Sequence, residues 1–285
     1  MRRRATPNVL TIAGSDPSGG AGIQADLRTF AALGAFGCAV PAVLTVQNTV
    51  EITGVHVVPA TLTRRQLDAL FADVEIAAVK IGMLGSARVA GVVADALARH
   101  APRFVVVDPV LRGSTGARLA TRDLARALTR ELAPLATVVT PNAAEAAALL
   151  RGDAVRTADE ARAAARSLVE HGWRAALVTG GHLDDRRWSV DVLAAGRGVR
   201  ELRVRRVPGP GAHGTGCTLS SAIAAYLARG RGLAASCSAA QRFTAESIAR
   251  SRRLRVGRGT PPANQLSSTP IPQGRARERV RSPRS

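Results

Sequence analysis

Several things are scarce in this chain, and each scarcity excludes something. Aromatic residues make up 3% of its 285 positions while hydrophobic residues reach 46%, so alanine and valine must fill most of any core. No apolar run approaches the roughly 18 residues of a membrane-spanning helix. The start, Met1-Arg2-Arg3-Arg4-Ala5-Thr6-Pro7-Asn8, carries charge but no apolar stretch ahead of a cleavage site, which argues against a signal peptide. The three cysteines, Cys38, Cys217 and Cys237, are odd in number, far apart and without metal-ligand spacing. A reducing, cytoplasmic setting fits them best. Lysine occurs once, at Lys80.

Arginine therefore supplies almost all of the net charge of +19. The tail from Leu266 to Ser285 contributes +4 and Arg2 to Arg4 contribute +3, leaving +12 on the body. The body's arginines are scattered and lack interleaved aromatics that would stack on bases, a pattern that does not indicate a nucleic-acid partner. Ser, Thr, Pro and Arg dominate from Leu266 onward, and residues 1–7 and 266–285 are expected to be basic, disordered ends around one domain spanning 8–262.

What is present is a regular alternation. Apolar runs at Val9–Ala13, Cys38–Val46, Ala77–Ile81, Phe104–Val107, Val138–Thr140 and Ala175–Val178 read as buried strands, with Val55–Val58 as an edge strand. Helical spacing follows at Ile23–Leu33, Leu62–Phe71, from Gly85 to about His100, around Glu145, at Ala158–His171 and at Leu233–Arg253. A late hairpin is predicted from Ser189–Leu193 and Arg203–Val207. Continuous apolar strands between helices imply an α/β fold with a mostly parallel sheet covered on both faces. Ligands of such sheets bind beyond the carboxyl ends of strands. The residues Gly14-Ser15-Asp16, Gln47-Asn48, Gly82-Met83, Asp108, Asn142 and Gly180-Gly181 all fall there. The glycine spacing after the first strand does not fit a dinucleotide fingerprint.

The chain is organised around His213-Gly214-Thr215-Gly216-Cys217, which leads into a helix of small and apolar residues. Glycines bracketing Thr215 allow backbone N–H groups to converge. The positive end of the new helix then favours an anion. Cys217 at the helix start would be more easily deprotonated there. An anion hole with a base at its lip suits phosphoryl transfer to an alcohol. The plainer alternative is a tight turn capping a buried helix, with Cys217 as filler.

The run Ala13-Gly14-Ser15-Asp16-Pro17-Ser18-Gly19-Gly20-Ala21-Gly22-Ile23-Gln24-Ala25-Asp26 resembles the N-terminal signature of the hydroxymethylpyrimidine/phosphomethylpyrimidine kinases, thiamin-pathway members of the ribokinase-like αβα sandwich fold. Lys80-Ile81-Gly82-Met83-Leu84, Asp108-Pro109-Val110, Thr140-Pro141-Asn142 with Glu145, Gly180-Gly181-His182 and His213 to Cys217 recur in that family in the same order. The resemblance covers residues 8 to 262. It implies two successive ATP-dependent phosphorylations, of 4-amino-5-hydroxymethyl-2-methylpyrimidine and then of its monophosphate. It implies that Gln47 and Asp26 hydrogen-bond the aminopyrimidine and that Gly14, Ala21, Met83 and Val110 line its pocket. Cys217 would be the base, and the Gly214, Thr215, Gly216 and Cys217 amides the anion hole. Asp108 and Glu145 would hold Mg²⁺ directly or through water, with Asn142, Thr179 and Gly181 on the nucleotide. His213 is either a turn residue or a neighbour of substrate and transferred phosphate.

Simpler roles stand beside these: Asp26 as a solvated helix acid, Met83 as packing, Asp108 as a turn former. The chain departs from the family at Thr179, where a lysine is usual, and at Ala212, where a threonine is usual. Arg112 and His182 are the candidates to replace the lysine. Two rival functions are a kinase of the same fold acting on pyridoxine or pyridoxal, and a non-catalytic pyrimidine-binding sensor. A homodimer is the expected assembly.

Overall fold

The protein is described here by a computed structural model covering residues 5–111, 122–185 and 187–266, with the side chains of Arg122 and His182 also left undescribed. Arg112 and most of the basic ends lie outside the described residues. Each continuous apolar run forms a strand: β1 (Asn8–Ser15), β2 (Phe36–Gln47), β3 (Ile52–Val57), β4 (Ile76–Ile81), β5 (Phe104–Val107), β6 (Val138–Val139), β7 (Ala175–Val178), β8 (Trp188–Ala195) and β9 (Gly198–Arg205). They pair in the order β3-β2-β1-β4-β5-β6-β7-β8-β9. From β2 to β7 every pairing is parallel, while β3, β8 and β9 pair antiparallel. The antiparallel additions sit at the two ends, where no crossover helix is needed.

The helices are α1 (Gly22–Ala32), α2 (Ala60–Asp73), α3 (Ala87–His100), α4 (Arg122–Ala127), α5 (Ala143–Leu150), α6 (Ala158–Glu170), α7 (Thr215–Ala228) and α8 (Leu233–Ser251). Strand side chains alternate between the two faces, so each strand feeds two cores. Leu10, Ile12, Val79 and Ile81 pack with α2 to α6, while Val9, Ala78 and Val106 pack under α1, α7 and α8. The small side chains of α7, Ala222, Ala224 and Ala225, are fully buried and let that helix lie close on the sheet.

The late hairpin turns earlier than expected, through Ala195 and Gly198, because Gly196 takes φ 54°. Helix α4 and the π-helical turn Leu128–Leu132 were not foreseen in the sequence; Leu124, Leu128 and Leu132, four residues apart, bury there. The packed body also runs past 262. Ala263 and Gln265 are each only 1% exposed, and Gln265 Nε2 donates to Thr218 Oγ1 at 2.9 Å. Among the described residues no helix is long and apolar enough to cross a membrane.

Candidate active site

Parallel strands end at one edge, and their loops surround a cavity of about 1630 Å³. The start of α7 lines it with Gly214, Thr215, Gly216 and Cys217. The N–H groups of a helix's first turn have no partner inside the helix, so those of Thr215, Gly216 and Cys217 are available to an anion. Gly214 caps this helix with φ 79°. A Cβ on Gly214 would lie 1.9 Å from the Gly20 carbonyl oxygen, and one on Gly22 would lie 2.2 Å from that of Gly14. The β1–α1 loop therefore packs onto the α7 terminus at backbone distance. Of the two glycines bracketing Thr215 only Gly214 takes a positive φ; Gly216 lies inside the first turn of α7.

Beneath the anion hole lies a buried charge cluster. The register of β1 and β4 sets Thr11 beside Lys80, both facing α7. Lys80 Nζ stands 3.0 Å from Asp26 Oδ2 and 3.7 Å from Asp108 Oδ2. Asp26 also accepts from Thr11 Oγ1 at 2.6 Å and from Ser221 Oγ at 2.7 Å, and Ser220 Oγ donates to Asp108 at 3.1 Å. Burial acts against the Lys80 charge, but Asp26, with Cys217 and Asp108, outweighs it and raises its pKa. Burial drives Cys217 up to about 12; Lys80 opposes this, while Asp26 and Asp108 add to it. The easy deprotonation expected of a thiol at a helix start is thus not found. Desolvation and two nearby carboxylates exceed the pull of Lys80 and of the Gly22 N–H.

Every residue expected in the site lines this cavity except Asp26. Asp26 is fully buried and committed to Lys80, Thr11 and Ser221. It is not a solvated helix acid, and its partners within the protein are the lone lysine and two hydroxyls. On one side of the α7 terminus stand Gly14, Ala21, Gln47, Met83 and Val110. Gln47, at the end of β2, lies within 3.4 Å of His213 Nε2, which is itself 3.1 Å from Asp16 Oδ2. Burial favours the neutral acid at Asp16, but hydrogen bonds from His213, Ser18 and Ala21 prevail and lower its pKa.

On the other side Asn142 and Glu145 close a reciprocal cap on α5, and Thr179 bridges to Asn142. Burial, then repulsion from Asp108, pushes Glu145 up to about 8. Asp108 is likewise raised, by burial foremost and with Asp26 adding, against the opposing pull of Lys80. Among the described residues no cluster of three or more His, Cys, Asp or Glu forms a closed metal site. Two buried carboxylates that resist being charged together suit a hard cation that takes its remaining ligands from water and phosphate.

Sequence reasoning missed Arg206. Its guanidinium donates to the carbonyls of Gly181 at 2.7 Å and of Gly180 and Leu183 at 3.2 Å each, while Asp191 accepts the Gly180 N–H from below at 2.7 Å. The turn at Gly180–His182 is thereby clamped from both sides, with Arg206 close to where the expected lysine is absent. Lys80 and Asp16 were visible only as motif members, although a single lysine within an apolar strand is itself a signal of pairing.

A mostly parallel sheet whose loops bring a helix start with free amides and a pair of buried carboxylates to one cavity has the architecture of a ribokinase-like small-molecule kinase. A family model described as phosphomethylpyrimidine kinase matches residues 16–264. The chain belongs to that family and is a phosphotransferase. It is 42% identical over 259 residues to the hydroxymethylpyrimidine/phosphomethylpyrimidine kinase of Salmonella typhimurium, covering 91% of this chain and 97% of that protein. The enzyme of the same description from Rhizobium meliloti is 44% identical, with 92% and 97% covered. Among solved structures, the pyridoxal kinase of Staphylococcus aureus with AMP-PCP and pyridoxal matches with a TM-score of 0.85 at 29% identity, covering 94% of this chain and 96% of that one. A phosphomethylpyrimidine kinase from Clostridium difficile matches at 0.75 and 34% identity, covering 85% and 100%.

Proposed function

We propose that this chain transfers the γ-phosphate of ATP to the hydroxymethyl group of 4-amino-5-hydroxymethyl-2-methylpyrimidine, and a second phosphate to the resulting monophosphate. The observation that carries this reading is Gln47, a donor and acceptor in one group, on one wall of the cavity that the α7 anion hole also lines. The pyrimidine lies against Gly14, Met83 and Val110, and its hydroxymethyl oxygen faces the Thr215 to Cys217 amides. The nucleotide occupies the Asn142, Thr179 and Gly181 side. Mg²⁺, held by Asp108 and Glu145 directly or through water, would neutralise phosphate charge when bound.

Cys217 is the proton acceptor for the attacking hydroxyl, with Lys80 as the cation that favours its thiolate. The amides of the first turn stabilise charge that grows on the transferred group, and they need no reorganisation to do so. The exposed edge formed by Leu44, Val46 and Val55, each 47% exposed or more, supports a homodimer through the β2–β3 hairpin.

A pyridoxal-type substrate is the second reading, favoured by the shape match to the Staphylococcus aureus kinase. Steady-state transfer with Mg²⁺ and ATP separates the two. kcat/KM for the hydroxymethylpyrimidine should exceed that for pyridoxal by about tenfold or more, the scale of one matched hydrogen-bond pair. A preference for pyridoxal would replace the substrate while leaving the kinase intact.

A further inference from the structure

The hydrogen bonds around Gln47 contain a conflict whose resolution sets how the ring is read. The amide stands with Nε2 3.4 Å from His213 Nε2 and Oε1 3.1 Å from Thr45 Oγ1. Thr45 has one hydroxyl proton, and its shorter bond, 2.7 Å, goes to the Ser15 carbonyl. That proton is unavailable to Gln47, so Thr45 can only accept from it.

The other end leads to the same conclusion. Asp16 accepts from Ser18 N and Ser18 Oγ on Oδ1, and from Ala21 N on Oδ2. Its pKa is held low, so it is a carboxylate at neutral pH and can only accept. His213 Nε2, 3.1 Å from Oδ2, must therefore carry the proton, and a second donor cannot face it. Both constraints turn the amide over: Oε1 faces His213 and Nε2 donates to Thr45. An amide's oxygen and nitrogen exchange places by rotation about one bond, and the surrounding network decides which sense is populated.

We infer that Asp16 is a specificity-positioning residue, acting through His213 to fix the Gln47 amide with its free acceptor toward the α7 terminus and its free donor away from it. This rests on the pyrimidine-kinase reading above. A 4-aminopyrimidine meets that order in one orientation, with its amine toward His213 and ring N3 toward Thr45. The 5-hydroxymethyl group neighbours the amine, so it comes to the side of Gly214 and the anion hole. With the amide reversed, the same ring would present its donor to a donor. Asp16 thus sets which group of the substrate reaches the transfer site without touching the substrate.

The test uses two ligands of one shape: 4-amino-5-hydroxymethyl-2-methylpyrimidine and its 4-oxo counterpart, in which N3–H donates and O4 accepts. Calorimetric Kd values are measured on the full chain for the wild type, Asp16→Asn and Thr45→Val. Asp16→Asn keeps its oxygen toward the two Ser18 donors, gives up the bond from Ala21 N–H, and turns an NH₂ to His213, which makes Nε2 an acceptor and reverses the amide. The wild type should prefer the amino ring by about 100-fold or more, as a mismatched donor pair demands. In Asp16→Asn that ratio should fall below about tenfold. Thr45→Val, which removes the other constraint but leaves the one through His213, should keep a preference of about tenfold or more; His213→Phe, measured alongside, should bring the ratio below about tenfold and decides the matter if Asp16→Asn does not fold. Affinities that fall together at a constant ratio would reduce Asp16 to an organiser of its loop and overturn the inference. A wild type that binds neither ring would sink the kinase reading and this inference together.

Discussion

Two residues carry the most direct consequences. Cys217, pushed up to about 12, is a neutral thiol at pH 7. If the thiolate takes the substrate proton, its fraction grows tenfold with each pH unit below that value. Transfer by the wild type should therefore rise with pH between 7 and 9. Cys217→Ala should lose about 10²–10⁴-fold in kcat, along with that slope, while KM for the pyrimidine changes little. A retained slope in the alanine variant would assign the pH dependence to another group. Asp26 gives the opposite pattern. Asp26→Asn leaves the buried Lys80 short of its closest partner and should cost about 3–5 kcal/mol in chemical denaturation. Pyrimidine affinity per folded molecule should stay unchanged; a selective loss of binding would return Asp26 to the ligand. The residue types at strand ends were readable because polar groups seldom end buried strands without a use. The direction of Asp26 was not readable, since only the Thr11–Lys80 register and Ser221 on α7 show that its carboxylate faces the core.

At the scale of elements, the loops at the edge of the sheet are held by backbone contacts and by one arginine. Arg206, at the end of β9, reaches carbonyls on the turn after β7, and lysine cannot reproduce its planar fork. On the proposed placement of the nucleotide at this turn, Arg206→Lys should raise KM for ATP about tenfold with KM for the pyrimidine unchanged. An equal rise in both would show a general loosening of the cavity. Strand ends and the α7 start were legible from runs of Val and Ala closed by glycine. The clamp was not, because Arg206 is one of many arginines in sequence and its partners Gly181 and Gly180 lie 25 and 26 residues away. Helix α4 escaped notice for a related reason: its Leu124 and the following Leu128 and Leu132 sit in a segment crowded with alanine and arginine.

For the whole molecule, the acid groups make stability depend on pH in an unusual sense. Glu145 rises to about 8 from its ordinary 4.5, and Asp191 to about 6 from 3.8, burial being the first cause of each. An acid with a raised folded pKa holds its proton more tightly when folded. Its contribution is complete below the unfolded pKa and is lost as pH climbs toward the folded one. The protein without ligands should thus lose stability between pH 4.5 and 8, by at most about 1.4 kcal/mol per pH unit from Glu145. Melting temperatures across that range should fall in the wild type and flatten in Glu145→Gln; parallel curves would contradict the assignment. Mg²⁺ with ATP should restore much of the loss, since a cation favours the charged carboxylates.

The same cavity has to admit the pyrimidine first as an alcohol and then as a monophosphate, and that double use is the central claim. Phosphorus NMR of the protein incubated with the pyrimidine monophosphate, Mg²⁺ and ATP tests it most directly. Coupled diphosphate resonances of a new pyrimidine product, appearing as ADP accumulates, are the predicted result. ADP without that product, or an unchanged monophosphate beside protein that phosphorylates the free alcohol, would contradict it.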